Sequence, residues 1–277
     1  MTIEEHIKLA LEEDLGDGDH TSLSTISKDA KGRARLVAKE DGIIAGIRIA
    51  EMVYKQVDEN TQFMALKKDG DRIQKGDIIF TIEGKSISIL SAERLALNYM
   101  QRMSGIATIT NQYAAIIRGT RTTLLDTRKT TPLMRLFEKE AVKLGGGDNH
   151  RMGLFDMVMI KDNHVDFAGG IVPAIQACHK YLKAQEKKLK IEIEVRNFEE
   201  LNSVLEYGRI HRIMLDNFTP DEISEALKMI DGKFETEASG GINKNTIRAY
   251  AETGVDFISV GALTHQIKSL DLSLQAY

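Results

Sequence analysis

Residues 212–241, RIMLDNFTPDEISEALKMIDGKFETEASGG, contain the pattern that decides the fold. The short apolar run RIMLD is followed by DEISEALKMI, in which apolar residues recur at helical spacing, and then by a second short run, FETEAS. A strand, a helix and a strand in this order predict a βαβ unit, because two parallel strands need a crossover connection. The segment therefore predicts a parallel sheet.

The same alternation extends over the chain from residue 118 onward. Further short apolar runs are TLLD at 123, MVMIK at 157, IEIEV at 191 and FISVG at 257, and helix-like segments separate most of them. Together the six runs predict an α/β domain, either an incomplete (β/α) barrel or an open doubly wound sheet.

The chain before residue 118 has a different pattern. Residues 3–13 have the apolar spacing of a short amphipathic helix, and four strand-like runs follow between 33 and 90: ARLVA, GIIAG, IIFTI and SISIL. Residues 92–118 have a helical pattern, which Gly105 is predicted to divide into two helices. The change of pattern predicts a domain boundary near residues 105–115.

The composition is that of an ordinary globular protein, with 42% hydrophobic residues, 28% charged residues and a net charge of −4. This charge does not favour a nucleic-acid-binding protein. The single cysteine, Cys178, excludes an internal disulfide framework and favours a reducing compartment. The N-terminus lacks the pattern of a secretory signal, and no run approaches about 20 apolar residues. We therefore expect a cytoplasmic protein with neither nucleic acid nor membrane as partner.

Polar or charged residues stand at or near the end of every predicted strand of the second domain. A solvated strand end explains any one of them, but six in succession favour a shared site, because α/β folds bind ligands at the carboxyl ends of their strands. In chain order these residues are Asp126, Arg128, Lys129, Lys161, Glu194, Asp216, Ser239, Gly240, Gly241 and Gly261.

The segment from residue 118 to 161 is basic, although the whole protein is acidic. It contains nine Lys or Arg and five Asp or Glu. Four of the nine lie outside the predicted solvated helix faces: Arg128, Lys129, Arg151 and Lys161. We expect these four to surround an anion, since Arg forms bidentate contacts with carboxylate or phosphate and Lys supplies a point charge.

The turns after the last two strands are small and polar, SGG and VGALTH. Backbone N–H groups at such a position, next to a helix start, predict a phosphate site. Glu194 and Asp216 are suited to hold Mg²⁺ or ribose hydroxyls. Pairing with the nearby cations is an alternative for both carboxylates, and the two roles are compatible.

These motifs, taken together, resemble the quinolinate phosphoribosyltransferase (decarboxylating) family. The resemblance extends in the family's order over nearly the whole chain, through EDLGDGDHTS, QRMSGIAT, LLDTRKTTP, EKEAVKLGGGDNHRMGLFDMVMIKDNH, MLDNF, EASGGI and FISVGALTH. It implies that quinolinate and phosphoribosyl pyrophosphate give nicotinate mononucleotide, pyrophosphate and CO₂, with Mg²⁺ as cofactor, in NAD biosynthesis. It implies an N-terminal α/β sandwich domain, residues 1–110 joined by the tail 266–277, and an incomplete (β/α) barrel, residues 111–265.

The resemblance also implies roles for individual residues. Arg102 would reach quinolinate from the partner subunit of a homodimer or higher oligomer, so that each active site is shared. The residues expected at the quinolinate carboxylates are Arg128, His150, Arg151 and Lys161. Those expected at the pyrophosphate are Lys129 and Lys161, those at the ribose hydroxyls and Mg²⁺ are Glu194 and Asp216, and those at the 5′-phosphate are Ser239, Gly240 and Gly261. Thr127 and Gly241 complete the substrate-binding set, and the catalytic residues implied are Lys129, Lys161, Glu194 and Asp216.

The run KLGGGDNHRMG, residues 143–153, has an expected purpose in such a site. Glycine loses the most backbone freedom on folding, so three in succession need a reason. We expect Gly145 to Gly147 to let the backbone pass close to a ligand or an adjoining loop, while His150 and Arg151 point inward.

Two positions depart from the family pattern. Leu133 follows TTP where the family usually has glycine, which is expected to change a loop near the site entrance. Arg196, near Glu194, replaces an acid or a small polar residue and could alter the metal site.

Three other functions are compatible with the fold. A phosphoribosyltransferase for another substrate, such as the pyrophosphorylase-like protein associated with molybdenum transport, is disfavoured by the complete Arg and Lys set. A non-catalytic anion-binding protein predicts at least one changed charged position, and none is changed. An aldolase-type barrel would use Lys161 as a Schiff-base nucleophile, but the adjacent Asp162 favours the charged, non-nucleophilic ammonium.

Overall fold

Helix α1 (Ile3–Leu15) follows the amphipathic spacing at the N-terminus, in a computed structural model that describes residues 1–277. The Thr2 hydroxyl accepts a hydrogen bond from the Glu5 N–H, and the Glu5 carboxylate accepts one from the Thr2 N–H. This capping box satisfies N–H groups that the first turn of a helix leaves without helical partners.

The chain divides into two compact units. Unit 1 comprises Met1–Asn111, Leu136–Gly146 and Gln266–Tyr277, and unit 2 comprises Gln112–Arg135 and Gly147–His265. The predicted boundaries assign residues 136–146 to the second domain, whereas this segment clusters with unit 1.

Unit 1 contains an antiparallel sheet. After α1 its elements are α2 (His20–Thr25), β1 (Lys31–Ala38), β2 (Gly42–Ile43), α3 (Ile47–Val57), β3 (Gln62–Ala65), β4 (Arg72–Ile73), β5 (Ile78–Lys85), most of α4 (Ser86–Ile116), most of α5 (Arg135–Leu144) and β12 (Leu272–Ala276). Strands β12, β1, β5 and β3 form the sheet in that order, and β2 pairs with β4. The last strand of the chain is therefore an edge strand of the sheet formed by N-terminal residues.

Helix α4 is continuous over 31 residues, so two predictions in this region are wrong. The run SISIL, residues 86–90, is the start of the helix and not a strand, and Gly105 does not interrupt the helix. A Cβ at Gly105 would lie 3.1 Å from the Ser269 Cα and 3.1 Å from the Lys268 carbonyl carbon. This glycine therefore permits the C-terminal segment to pass against α4, which explains its presence inside a helix.

Aromatic packing explains why residues 136–146 cluster with unit 1. The Phe137 ring centroid lies 4.8 Å from that of His6 and 4.9 Å from that of Tyr99. Phe137 is 1% exposed. The apolar face of α5 is thus buried against helices α1 and α4.

Unit 2 is built on one parallel sheet. Its elements are β6 (Thr123–Leu125), β7 (Val158–Ile160), α6 (Asp162–Ala168), α7 (Ile171–Ala184), β8 (Ile191–Val195), α8 (Phe198–Tyr207), β9 (Arg212–Asp216), α9 (Pro220–Ile230), β10 (Glu235–Ser239), α10 (Ile247–Glu252), β11 (Phe257–Ser259) and α11 (Ala262–His265). The strands lie in the order β6, β11, β10, β9, β8, β7, and every neighbouring pair is parallel. All six predicted strands are present, and the predicted two-domain α/β fold is confirmed.

Because the strands are parallel, their carboxyl ends share one edge of the sheet, which we call the C-terminal edge. Lys161, Asp216 and Gly261 lie at this edge, whereas Arg102 belongs to unit 1. None of the helices in the protein combines the length and the apolar character that a bilayer span requires.

Candidate active site

The glycine run of residues 145–147 leads the chain from α5 to the edge strand β6. Gly145 packs closely on α4, since a Cβ there would lie 2.6 Å from the Thr110 Cβ. Gly146 has a φ of 93°, a left-handed conformation that glycine adopts readily. Asp148 then forms a parallel bridge with Leu125 of β6. The neighbour that requires Gly145 is therefore a helix.

His150 follows this bridge and is 7% exposed. Its N–H donates a hydrogen bond to the buried Asp126 carboxylate at 2.9 Å. Its ring Nε2 lies 3.1 Å from a Glu192 oxygen and 3.2 Å from a Glu237 oxygen. Burial alone would lower the pKa of the His150 imidazole, but the two carboxylates outweigh burial and raise this pKa to about 9.

The other ring nitrogen of His150 faces the next residue. The Arg151 N–H donates to His150 Nδ1 at 2.7 Å, which favours a neutral ring with its proton on Nε2. The two carboxylates instead favour the doubly protonated ring. In both protonation states Nε2 carries a proton, and it lies within 3.2 Å of one oxygen of each glutamate.

Arg128 and Arg151, both predicted to bind quinolinate, lie close enough to repel each other. Burial and the charge of Arg128 lower the pKa of the Arg151 guanidinium. Arg151 Nη1 donates to the Met157 carbonyl at 3.1 Å, which fixes the orientation of the side chain. Two guanidinium groups held together are stabilised by an anion, so this pair forms a candidate carboxylate subsite.

Arg135 joins the two loops that carry these cations. Its Nε donates to the Thr130 hydroxyl at 3.1 Å, and its Nη1 donates to the Met152 carbonyl at 2.9 Å. The loop after β6 and the segment after His150 are thereby held in a common position.

Lys129 connects the loop after β6 with the turn after β11. Its N–H donates to the Thr127 hydroxyl at 3.1 Å, and its carbonyl accepts from the buried Thr264 hydroxyl at 2.8 Å. A Cβ on Gly261 would lie 2.9 Å from the Lys129 Cδ. The absence of a side chain at Gly261 therefore makes room for the Lys129 side chain.

Lys161, Glu194 and Asp216, at the ends of β7, β8 and β9, form one charged cluster. The Lys161 Nζ lies 3.1 Å from Glu194 Oε2. Burial raises the pKa of the Glu194 carboxyl, and repulsion from Asp216 adds to the effect. Burial also raises the pKa of Asp216, while the charges of Lys161 and Lys129 act against it. The predicted catalytic residues are thus mutual neighbours.

The turns after β9 and β10 support Asp216. Asn217 Nδ2 donates to an Asp216 carboxylate oxygen at 2.6 Å, and the Asn217 N–H donates to the Ser239 carbonyl at 2.9 Å. Gly240 has a φ of 98°, and a Cβ there would lie 2.8 Å from the Asn217 nitrogen. Only glycine fits this approach without moving Asn217.

The residues predicted for the 5′-phosphate lie in two different settings. Ser239 is the last residue of β10, and helix α10 begins only at Ile247, so Ser239–Gly241 do not form the predicted helix start. Gly261 immediately precedes α11. The two turns follow the carboxyl ends of β10 and β11, so both lie at the C-terminal edge of the sheet.

Arg102, predicted to reach the substrate of a partner subunit, lies in unit 1. Its Nε donates to Glu138 Oε1 at 2.8 Å, and its Nη2 lies 2.7 Å from the same oxygen. Glu138 is 0% exposed, whereas the Arg102 side chain is 28% exposed. A buried carboxylate thus orients a guanidinium that remains accessible.

The two departures from the family pattern have separate structural settings. Leu133 is 72% exposed and has a φ of 65°, a strained value for a leucine. Arg196 is paired with Asp166 at 2.9 Å and with Glu200 at 2.5 Å. These two carboxylates, on α6 and α8, account for the Arg196 side chain without any contact to Glu194.

The sequence reasoning missed three charged residues of this region, Glu192, Glu237 and Arg212. Arg212 Nη1 lies 2.9 Å from Glu237 Oε2, and its guanidinium stacks 3.8 Å from the centre of the Phe257 ring. The sequence did contain a sign of the two glutamates, because acids stand two residues apart in IEIEV and in ETEAS. In a strand, this spacing places both acids on the same face of the sheet.

The chain is similar to known proteins over nearly its whole length. Residues 19–104 match the model of the quinolinate phosphoribosyl transferase N-terminal domain, and residues 106–275 match that of the C-terminal domain. A protein of Arabidopsis thaliana named nicotinate-nucleotide pyrophosphorylase [carboxylating], chloroplastic, is 47% identical over 97% of this chain and 81% of its own. A probable nicotinate-nucleotide pyrophosphorylase [carboxylating] of Bacillus subtilis is 43% identical over 95% of this chain and 89% of its own.

The solved structures include a similar fold over nearly the full length. The nicotinate-nucleotide pyrophosphorylase of Francisella tularensis superposes with a TM-score of 0.92 and 42% sequence identity, covering 99% of this chain and 96% of its own. Both domains and their order are therefore shared, and the chain belongs to the quinolinate phosphoribosyltransferase family.

Proposed function

We propose that the protein transfers the phosphoribosyl group of phosphoribosyl pyrophosphate to quinolinate with decarboxylation, a pentosyltransferase step in NAD biosynthesis. The observation that carries the proposal is the division of charge at the C-terminal edge. One part holds the guanidinium pair Arg128 and Arg151, and the other holds the lysine–carboxylate cluster of Lys161, Glu194 and Asp216. A dicarboxylate acceptor suits the first part, and a ribose with a pyrophosphate suits the second.

The quinolinate carboxylates are bound by Arg128 and Arg151, with Lys161 between this pair and the ribose. The half-buried position of Arg151 strengthens its attraction to an anion, because less water screens the charges. Two fixed cations explain why a dianion would be preferred over a monocarboxylate.

The second substrate is bound by the turns after β9, β10 and β11. Ser239–Gly241 and Gly261 offer backbone N–H groups to the 5′-phosphate, and Lys129 lies beside Gly261 to meet the pyrophosphate. Glu194 and Asp216 accept hydrogen bonds from the ribose hydroxyls.

Glu194 and Asp216 also fit Mg²⁺. Burial raises both pKa values, and the charge of Asp216 raises that of Glu194 further, so a hard divalent cation would relieve an existing repulsion. Mg²⁺ usually takes one or two carboxylates together with phosphate oxygens and water. When bound, it would supply positive charge to the oxygens of the leaving pyrophosphate.

The chemistry needs positioning and charge more than proton transfer. The pyridine nitrogen forms a bond to ribose C1′ as the bond from C1′ to the pyrophosphate oxygen breaks. Lys129 and Lys161 stabilise the departing anion, while Glu194 and Asp216 stabilise the positive charge on the sugar. The bond from ring carbon C2 to the carboxylate then breaks, CO₂ leaves, and the carbanion beside the cationic ring nitrogen takes a proton from solvent. No covalent enzyme intermediate is required.

The protein is further proposed to act as a homodimer or higher oligomer with shared active sites. The adjacent side chains of Leu154 and Phe155 are 71% and 76% exposed, an apolar surface of the kind that oligomers bury. The cytoplasmic location expected from the sequence stays a prediction.

A Schiff-base aldolase is a weaker candidate. The Lys161 Nζ is held in an ion pair with Glu194 Oε2 at 3.1 Å, and a nitrogen held in this way is poorly placed to attack a carbonyl. Borohydride trapping with a carbonyl substrate should therefore leave Lys161 unmodified.

A product assay tests the proposal directly. The purified protein is incubated with quinolinate, phosphoribosyl pyrophosphate and Mg²⁺, and nicotinate mononucleotide, pyrophosphate and CO₂ are measured. We expect all three in equal amounts, and no nucleotide when nicotinate replaces quinolinate. Pyrophosphate release with a different acceptor, and none with quinolinate, would reject the proposed substrate and keep the fold.

A further inference from the structure

Glu192 and Glu237 are 0% exposed, and neither is itself assigned above to a substrate. Burying a carboxylate is unfavourable unless charged partners compensate for the lost hydration. The partners here are His150 and Arg212: the His150 Nε2 lies within 3.2 Å of both carboxylates, and Arg212 Nη1 lies 2.9 Å from Glu237. Two strands thus contribute a buried acid each to a single histidine ring.

We propose that Glu192 and Glu237 are positioning residues that act through His150 on Arg151. We call Glu192, Glu237, Asp126 and His150 the His150 clamp. An oxygen of each glutamate lies within 3.2 Å of the ring Nε2, Asp126 accepts a hydrogen bond from the His150 backbone N–H at 2.9 Å, and the ring Nδ1 lies 2.7 Å from the Arg151 backbone nitrogen. The clamp thereby fixes the backbone from which the Arg151 guanidinium reaches the substrate.

This role differs from the quinolinate contact that the family resemblance implies for His150. Both ring nitrogens face groups of the same chain, Nε2 the two glutamates and Nδ1 the Arg151 N–H. The ring therefore acts on the substrate by way of Arg151. The inference rests on the proposed function for its substrate, quinolinate, whereas the clamp itself is defined by contacts within the protein.

A divalent cation held by His150, Glu192 and Glu237 is the main competing explanation. Their ligand atoms lie within 4.8 Å of one another, a spacing that a metal ion could use. The Arg212 guanidinium, however, already lies 2.9 Å from Glu237 and would repel a second cation. The Arg212 guanidinium thus already compensates part of the negative charge of the two glutamates.

The first experiment needs no substrate. Amide hydrogen exchange at Arg151 is measured in the full-length wild type, in Glu192→Gln and in Glu237→Gln, with the exposed Glu206→Gln of α8 as control. We expect exchange at Arg151 to be at least about tenfold faster in both clamp variants and unchanged in the control. Unchanged exchange in the clamp variants would overturn the proposal, and so would a stoichiometric metal ion in the wild type that Glu192→Gln loses. If Glu237→Gln fails to fold, Glu192→Gln gives the answer alone.

The second experiment is a double-mutant cycle on the Kd of quinolinate. Glu192→Gln is expected to raise this Kd about tenfold in the wild-type background and to have no effect in the Arg151→Ala background, because the clamp acts through Arg151. The Kd of phosphoribosyl pyrophosphate should stay unchanged, which a general loss of structure would not allow. An equal increase in both backgrounds would overturn the clamp. A wild type that binds no quinolinate would reject the proposed function, and hydrogen exchange would still decide on the clamp.

Discussion

Arg151 combines partial burial, a neighbouring guanidinium and a fixed orientation, and each of these strengthens its attraction to a carboxylate. Arg151→Ala is expected to weaken quinolinate binding by about 3 kcal/mol, more than a hundredfold in Kd, because a half-buried ligand carboxylate loses its charged partner. Calorimetric titration of quinolinate measures the change. The matched control is Arg94→Ala, which removes an exposed arginine of α4 and should bind as the wild type does. Normal binding by Arg151→Ala would show that quinolinate lies elsewhere.

Asp216 is predicted to be required for activity and, at the same time, to lower the free energy of unfolding. The pKa of Asp216 is raised in the folded protein, so its carboxyl ionises more readily in the unfolded chain. The folded protein is therefore more stable at low pH, where the carboxyl is protonated, and it loses this stability as pH rises through the folded pKa. Asp216→Asn should therefore abolish turnover and raise Tm, more at about pH 8 than at about pH 4. Thermal melts at both pH values measure this, with Glu225→Gln on the exposed face of α9 as control. A lower Tm for Asp216→Asn at high pH would contradict the assignment.

Single residues at the strand ends could be found from the sequence, whereas buried partners could not. Lys161 follows an apolar run, Asp216 closes one, and Glu194 is the last acid of one, and parallel strands bring such positions to one edge. Glu192 lies inside a run and meets His150, which is far away in the sequence. Local pattern carries no information about such a contact, and a buried acid in a strand becomes intelligible only once its partner is known.

At the scale of elements, Gly105 links helix α4 to the C-terminal segment. Gly105→Ala should gain about 1 kcal/mol of helix propensity and lose more by overpacking, because its Cβ would meet the backbone of Lys268 and Ser269. We expect a net loss of about 1–2 kcal/mol in the free energy of unfolding, measured by urea titration. Gly84→Ala is the control, since its Cβ would lie 3.5 Å from the Thr61 Cα, an ordinary contact. A Gly105→Ala variant more stable than the wild type would show that the C-terminal segment can move aside at little cost.

The strands of unit 2 were predictable because each is a short apolar run bounded by polar turns. The start of α4 was not, because strand β5 ends at Lys85 and the helix begins at Ser86 with no turn residue between them. Ile87 and Ile89 in SISIL alternate with serines as in a strand, and so short a run fits either structure. The length of α4 was underestimated for a related reason: a glycine required by tertiary packing has the same local appearance as a helix breaker.

At the scale of the whole molecule, the two units are not contiguous in sequence. Residues 136–146 lie between the two segments of unit 2 in the sequence, and residues 266–277 follow the second one, yet both belong to unit 1. A change of pattern along the chain can locate one boundary, near residue 110. It cannot show that a later helix, α5, packs with the first unit. Phe137 decides the location of α5 through its contacts with His6 and Tyr99, which are distant from it in the sequence.

The oligomer provides the last prediction, because Arg102 is proposed to complete the site of its partner. Glu138 orients the Arg102 guanidinium from within the same chain, so the Arg102 side chain is held ready whichever subunit it serves. Arg102→Ala and Lys161→Ala should each be inactive alone. In a mixed dimer, one site then receives both substitutions and the other receives neither. Random pairing makes half of the dimers mixed, so equal co-expression should restore about a quarter of the wild-type activity. Differently tagged chains purified in tandem would isolate the mixed dimer, whose specific activity should be about half that of the wild type. An inactive mixed dimer of normal size in light scattering would mean that Arg102 and Lys161 serve the site of a single chain, and the shared site would be rejected while the dimer itself remained.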